Sequence, residues 1–173
     1  MRRSIAIVAL ACAAGAQAQS ETERLFQAIN EDKEPVAAIL ILGGKVDLQA
    51  RNAQRETPLH RAAEKGMRAL TRLLLDAGAN VRSRSNTGET ALHLAALTSD
   101  PGCALLLLDS GADPRARNDD GESVLHWAAL SGNAATARLL LERARAPAAK
   151  NLDGKTAQDL ARERGHEEVP ALF

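Results

Sequence analysis

Aromatic side chains are nearly missing from this 173-residue chain, which has two Phe, one Trp and no Tyr. Its core must be filled by Leu, Ala, Ile and Val, and small residues of this kind suit helices packed closely side by side. Cysteine is just as scarce, with Cys12 and Cys103 alone. Cys12 falls in the leader expected below, and Cys103 left alone cannot form an internal disulfide. Cys103 sits in the apolar run Cys103–Leu108 and reads as a buried, inert side chain. An excess of either charge is missing too: 22 Lys and Arg face 22 Asp and Glu, so no overall field points to nucleic acid. Long apolar runs are absent, which excludes stable membrane insertion. The chain also lacks a nucleophile elbow, a phosphate-cradling loop and a Cys/His zinc pattern. Neither enzyme activity nor a cofactor or metal is expected.

The first residues stand apart. Arg2 and Arg3 form a basic start, Ile5–Ala14 is apolar and uncharged, and Ala16-Gln17-Ala18 is a small-x-small site before polar Gln19-Ser20-Glu21. That order is a secretory signal peptide over residues 1–18, cleaved after Ala18. A retained N-terminal helix is the alternative, but nothing in the run is amphipathic. Lipoprotein processing at Cys12 and twin-arginine export fit less well, because the flanking residues do not extend either pattern. Cleavage removes two Arg and no acid, which leaves the remainder slightly acidic.

What the chain does have is a repeat. Thr57-Pro58-Leu59-His60-Arg61-Ala62-Ala63 returns 33 residues later as Thr90-Ala91-Leu92-His93-Leu94-Ala95-Ala96, and again as Ser123-Val124-Leu125-His126-Trp127-Ala128-Ala129. Thr156-Ala157-Gln158-Asp159-Leu160-Ala161 is a fourth copy. A fixed period between about 20 and 50 residues means stacked supersecondary units. Each Thr or Ser is placed to cap a helix, Pro58 suits a first helical position, and the His three residues on stands where a capping box puts Glu or Gln. The spacing predicts short first helices from Thr57 to about Lys65, Thr90 to about Thr98, Ser123 to about Ser131 and Thr156 to about Arg164. Second helices are expected over Met67–Asp76, Gly102–Asp109 and Asn133–Arg143. Gly78 and Gly111 close two of them. Polar arms of about ten residues follow, Val81–Glu89 and Pro114–Glu122, with Gly88 and Gly121 allowing a tight turn.

The ends are degraded copies. Arg24–Ile29 and Pro35–Leu42 repeat the helix pair, with Lys45 in place of the closing Gly and Ser20 with Glu23 as a capping box. The last copy stops through Gly165–Pro170. Atypical ends are expected where a stack meets water. The repeat domain then covers 19–173, with units at about 21–51 (a cap), 52–84, 85–117, 118–150 and 151–173 (a cap).

The three seven-residue motifs, each followed by a leucine run and two of them by Gly78-Ala79 and Gly111-Ala112, resemble ankyrin repeats over nearly the whole chain after residue 18. The resemblance implies an all-α solenoid of stacked helix pairs with projecting hairpin fingers and a concave groove between fingers and inner helices. It also implies a non-catalytic module that binds another protein. Arg55 in place of Gly, Ala144 in place of the closing Gly, and the loop 143–150 depart from the pattern, at the first and last fingers.

Candidate contacts follow from this register. Arg51, Arg84, Arg117 and Lys150 occupy one finger position, with Arg82 and Arg115 two residues before two of them. Glu56, Glu89 and Glu122 occupy another. Either the two ladders neutralise one another as surface pairs, or the bases form a strip that steers an acidic partner. Asn86, Thr87, Asp119 and Asp120 complete the exposed finger set. Asp119 and Asp120 are turn formers first. On the inner helices Leu97 and Leu130 are apolar where Glu64 and Glu163 are acidic, so the middle units offer an apolar floor. Trp127 is either a core contact or an aromatic anchor in the groove. His60, His93 and His126 lie one unit apart, too far for adjacent rings to share a zinc ion; capping and bonding between units is their expected role. His166 is expected to be solvated. The chain reads as a monomeric adaptor exported to a bacterial periplasm, or as a stoichiometric regulator or protector of one envelope enzyme.

Overall fold

The computed structural model describes residues 20–144 and 148–173. The expected leader, residues 1–18, lies outside the described residues, as does the middle of the loop expected over 143–150. Nine α-helices are present among the described residues: α1 Glu21–Asn30, α2 Glu34–Leu42, α3 Pro58–Glu64, α4 Arg68–Asp76, α5 Ala91–Ala95, α6 Gly102–Asp109, α7 Val124–Leu130, α8 Ala134–Ala144 and α9 Ala157–Glu163. A short 3-10 turn, Pro170–Leu172, ends the chain. Odd-numbered helices form one row, in which α1 packs on α3, α3 on α5, α5 on α7 and α7 on α9. In the second row α2 packs on α4 and α4 on α6. Each helix of a pair packs on the other, so the chain is a solenoid of stacked pairs.

Composition explains how closely the rows pack. Leu59, Leu92 and Leu125 are buried at equivalent positions, with Ala62-Ala63, Ala95-Ala96 and Ala128-Ala129 beside them. Leu74, Leu107 and Leu140 do the same in the second row, each with no exposed surface. Alanine lets neighbouring helices approach, and leucine fills the space between rows. Burying each Leu contributes about 2 kcal/mol, and no unit could bury its own set alone. Cys103 is buried in this core, and burial pushes its thiol pKa up.

Each inner helix begins in a capping box at Thr57, Thr90, Ser123 and Thr156. Helix α5 is shorter than the expected Thr90 to about Thr98. Gly66 and Gly132 close the neighbouring inner helices at φ +68° and +70°, but Ser99 holds that place in the middle unit. The backbone after Ala95 instead tightens, Leu97 N–H donating to Leu94 O at 3.1 Å and Thr98 N–H to Ala95 O at 3.2 Å. Leu97 therefore sits in the turn after α5, not on the helix. The next unit repairs the frayed end: the Asn133 amide donates to Thr98 O, and Ser131 Oγ donates to Ala96 O at 3.0 Å.

Three expectations at the margins change. Helix α2 ends at Leu42 as expected, but Gly44, at φ +69°, closes it in place of Lys45. Helix α8 runs through Ala144, which is buried as its last residue, since Ala continues a helix where Gly111 ends one. His166 is half-buried, its Nε2 3.1 Å from the Leu130 carbonyl at the end of α7. A solvated ring would forgo that bond.

Candidate protein-interaction surface

The fingers are built by one residue per unit. Asn52 Oδ1 accepts from the amides of Gln54 at 3.0 Å and Glu56 at 2.9 Å, and Asn118 Oδ1 from those of Asp120 at 3.1 Å and Glu122 at 2.8 Å. Ser85 Oγ does this in the finger between them. A backbone bond then closes each tip: Asn52 N–H to Glu56 O, Ser85 to Glu89, Asn118 to Glu122 and Asn151 to Lys155, at 2.8–3.0 Å. The left-handed residue of the turn is Gly88, Gly121 or Gly154, and in the first finger Arg55, at φ +58°.

Neighbouring fingers are joined by backbone and by side chain. Asn86 N–H donates to Gln54 O at 2.9 Å, Asp119 to Thr87 at 3.0 Å and Leu152 to Asp120 at 3.0 Å. Below the tips, Arg51 Nη1 donates to Arg84 O at 2.6 Å, Arg84 Nη2 to Arg117 O at 2.8 Å and Arg117 Nη1 to Lys150 O at 2.7 Å. Each guanidinium thus holds the carbonyl of its own counterpart one unit on.

The histidines join the units a third time. Thr57 N–H donates to His60 Nδ1 at 3.2 Å, which leaves that nitrogen bare and puts the proton on Nε2, 3.2 Å from Glu89 O in the next unit. His93 repeats this with Thr90 and Glu122 O, and His126 with Ser123 and Lys155 O. Burial lowers all three pKa values, His93 to about 4. Both nitrogens of each ring are spent on structure.

The family comparison agrees with this geometry. The sequence model described as ankyrin repeats (3 copies) matches residues 25–118 and 102–172. The chain belongs to the ankyrin-repeat family. Ankyrin repeats are generally modules that bind other proteins and typically do no catalysis. Comparison with the curated proteins finds no match.

Within this ankyrin stack, the basic and acidic ladders do not pair with one another position by position. Arg51, Arg84 and Arg117 are exposed and held by carbonyls; Arg84 also lies 3.5 Å from Asp119. The half-buried acids brace their own units. Glu56 accepts from Asn52 at 2.8 Å and lies 3.9 Å from Arg61. Glu122 accepts from Asn118 at 3.3 Å and from the Trp127 indole N–H at 2.9 Å. Burial tends to raise the Glu89 pKa, but the donating hydroxyls of Ser85 and Thr87 hold it below the ordinary carboxylate value. Asn86, Thr87, Asp119 and Asp120 are exposed at the tips. On the inner row Glu64 pairs with Arg61, Leu130 is half-buried, and Leu97 is 45% exposed. Half-buried Trp127 stands edge-on to His93, ring centres 5.6 Å apart.

One surface was not anticipated. Val36, Ile39 and Leu42 share a face of α2, with Ile39 70% and Leu42 73% exposed. The signal was in the sequence: α2 is apolar except for Glu34, and a helix apolar all round belongs between two layers, whereas α2 has a neighbouring unit on one side only.

Proposed function

We propose that this ankyrin protein is an adaptor that acts as a monomer after export to a bacterial periplasm, and that it holds one protein partner with its finger tips and the groove beneath them. The observation that carries this reading is the state of the tips. The amides of Asn86, Gly88, Asp119 and Gly121 and the carbonyls of Thr87 and Asp120 are committed to hairpin and inter-finger bonds, while the side chains of Asn86, Asp119 and Asp120 remain exposed. A surface whose backbone is already fixed loses little entropy on docking. Leu97 adds exposed apolar area on the groove side, where Glu64 occupies the equivalent place in the preceding unit.

Export is supported by the order of residues in 1–18: two Arg, an uncharged apolar run, then Ala16-Gln17-Ala18. Two measurements test the proposal. Mass spectrometry of the protein from cell envelopes should find Gln19 as the first residue; an intact Met1 terminus in the cytosol would refute export. Photo-crosslinkers at positions 86 and 119 should each capture the same protein, and one at Arg72, exposed on α4, should not. Equal capture from all three sites would refute the binding surface.

A further inference from the structure

Two clefts open at the finger bases, in register with one another. The first is lined by Arg82, Arg84, Arg115 and Arg117, with Val81 and Ala116. The second, one unit on, takes Pro114, Arg115, Arg117, Ser123 and Ala149 at the equivalent positions, with Leu125 beneath them. Arg115 and Arg117 thus stand on the ridge between the clefts, while Ala149 replaces a wall that is Ala116 beside two arginines in the first.

The first cleft gathers like charges without matching acids. Asp113 is its single lining acid, and Asp113 Oδ1 accepts from the Arg115 amide at 2.9 Å. Asp119 offsets Arg84 from outside at 3.5 Å. Among the described residues, Arg82, Arg115 and Arg117 have no carboxylate within ion-pair distance. Clustered guanidiniums repel one another, and an anion between them relieves that cost. Three of them are also held in place, Arg84 by the Arg117 carbonyl at 2.8 Å. Arg115 Nε donates to Ala144 O at 2.8 Å, and Arg117 Nη1 to Gly121 O at 2.6 Å and Lys150 O. Among the described residues Arg115 makes no bond through its terminal nitrogens, and fixed guanidinium forks suit a carboxylate.

We propose that these paired clefts bind an extended peptide of the partner, an acidic side chain entering the arginine-lined cleft and an aliphatic one entering the next. Units repeat about every 10 Å, and an extended chain advances about 3.3 Å per residue, so the acid and the aliphatic residue stand about three positions apart. A peptide fits better than a nucleic acid. Among the described residues the lining of the second cleft is largely apolar, and Asp119, Asp120 and Asp153 are exposed on the same fingers, where a continuous polyphosphate would meet them. This inference rests on the protein-binding reading above and concerns a surface apart from Leu97 and Leu130.

The test uses labelled Gly/Ser peptides carrying one Glu and one Leu at every separation from one to five residues, with the chain from residue 19 onward, read by fluorescence anisotropy. Binding should peak at a separation of about three and vanish when Gln replaces Glu. R82E should weaken it about 10-fold and R82E/R115E about 100-fold. R72E should leave it unchanged. Arg82 has no side-chain partner among the described residues, so R82E keeps the test open if the double variant folds poorly. Equal binding of the Gln peptide, indifference to R82E, or tighter binding of an oligo-thymidine strand than of any peptide would overturn the proposal. If no peptide binds while positions 86 and 119 still capture a protein, this inference falls and the adaptor reading survives.

Discussion

Arg84 reaches 33 residues along the chain: its Nη2 donates to the carbonyl of Arg117, its own counterpart in the next finger, at 2.8 Å. The same bond runs from Arg51 to Arg84 and from Arg117 to Lys150. A side chain at one finger position therefore serves as a rivet between units. Its cationic head remains at the surface, available to an anion.

Removing one rivet should cost little but measurably. R84A frees an exposed carbonyl to water and loses one charged donor, so about 1 kcal/mol of stability should go. R84K should recover only part of it, because an ammonium lacks the planar fork. Urea midpoints of the three proteins provide the check.

Acid should weaken the stack through its histidines. His93 has a pKa of about 4 in the fold against 6.5 as a free side chain, because burial disfavours its charged form. Between those values the unfolded chain binds the proton and the folded chain does not. Stability therefore falls as pH drops below 6.5, and this one group accounts for about 3 kcal/mol by pH 4. His60 and His126 shift in the same direction. Denaturant midpoints measured between about pH 7 and about pH 4.5 should fall steadily.

Arg55 holds a left-handed backbone at φ +58°, where the other fingers use glycine. R55G should stabilise the protein by about 0.5–1 kcal/mol, the relief of the Cβ clash less the added freedom of the unfolded chain. A thermal midpoint raised by a few degrees is the expected result.

The exposed face of α2 should be separable from stability. I39E/L42E changes two side chains that are mostly in water already, so unfolding free energy should move by no more than about 0.5 kcal/mol. Retention on a hydrophobic column should drop sharply. Retention that stays unchanged would mean the face is covered in solution.

The helix pairs, their caps and the histidine bonds were legible in the sequence because each depends on residues at a fixed spacing within a unit or one unit away. Three things were not. A guanidinium chooses between a carboxylate and a carbonyl by geometry, so matched ladders of Arg and Glu left open whether they pair with one another or leave a basic strip; the acids turn inward to Asn52, Ser85, Asn118 and Trp127. The shortening of α5 depends on one missing glycine at Ser99 and on Asn133 from the following unit. The clefts at Arg82 and Arg115 arise only when two fingers stand side by side.

Amide hydrogen exchange at Asn86, Asp119 and Leu152 tests the central claim most directly, that separate fingers form one fixed edge. Among the described residues each of these amides bonds only to the preceding finger, at 2.9–3.0 Å, and has no partner within its own hairpin. The account predicts slow exchange at all three, lost together when the stack unfolds. Exchange at the rate of a free chain, with the helices still protected, would show independent fingers and contradict it.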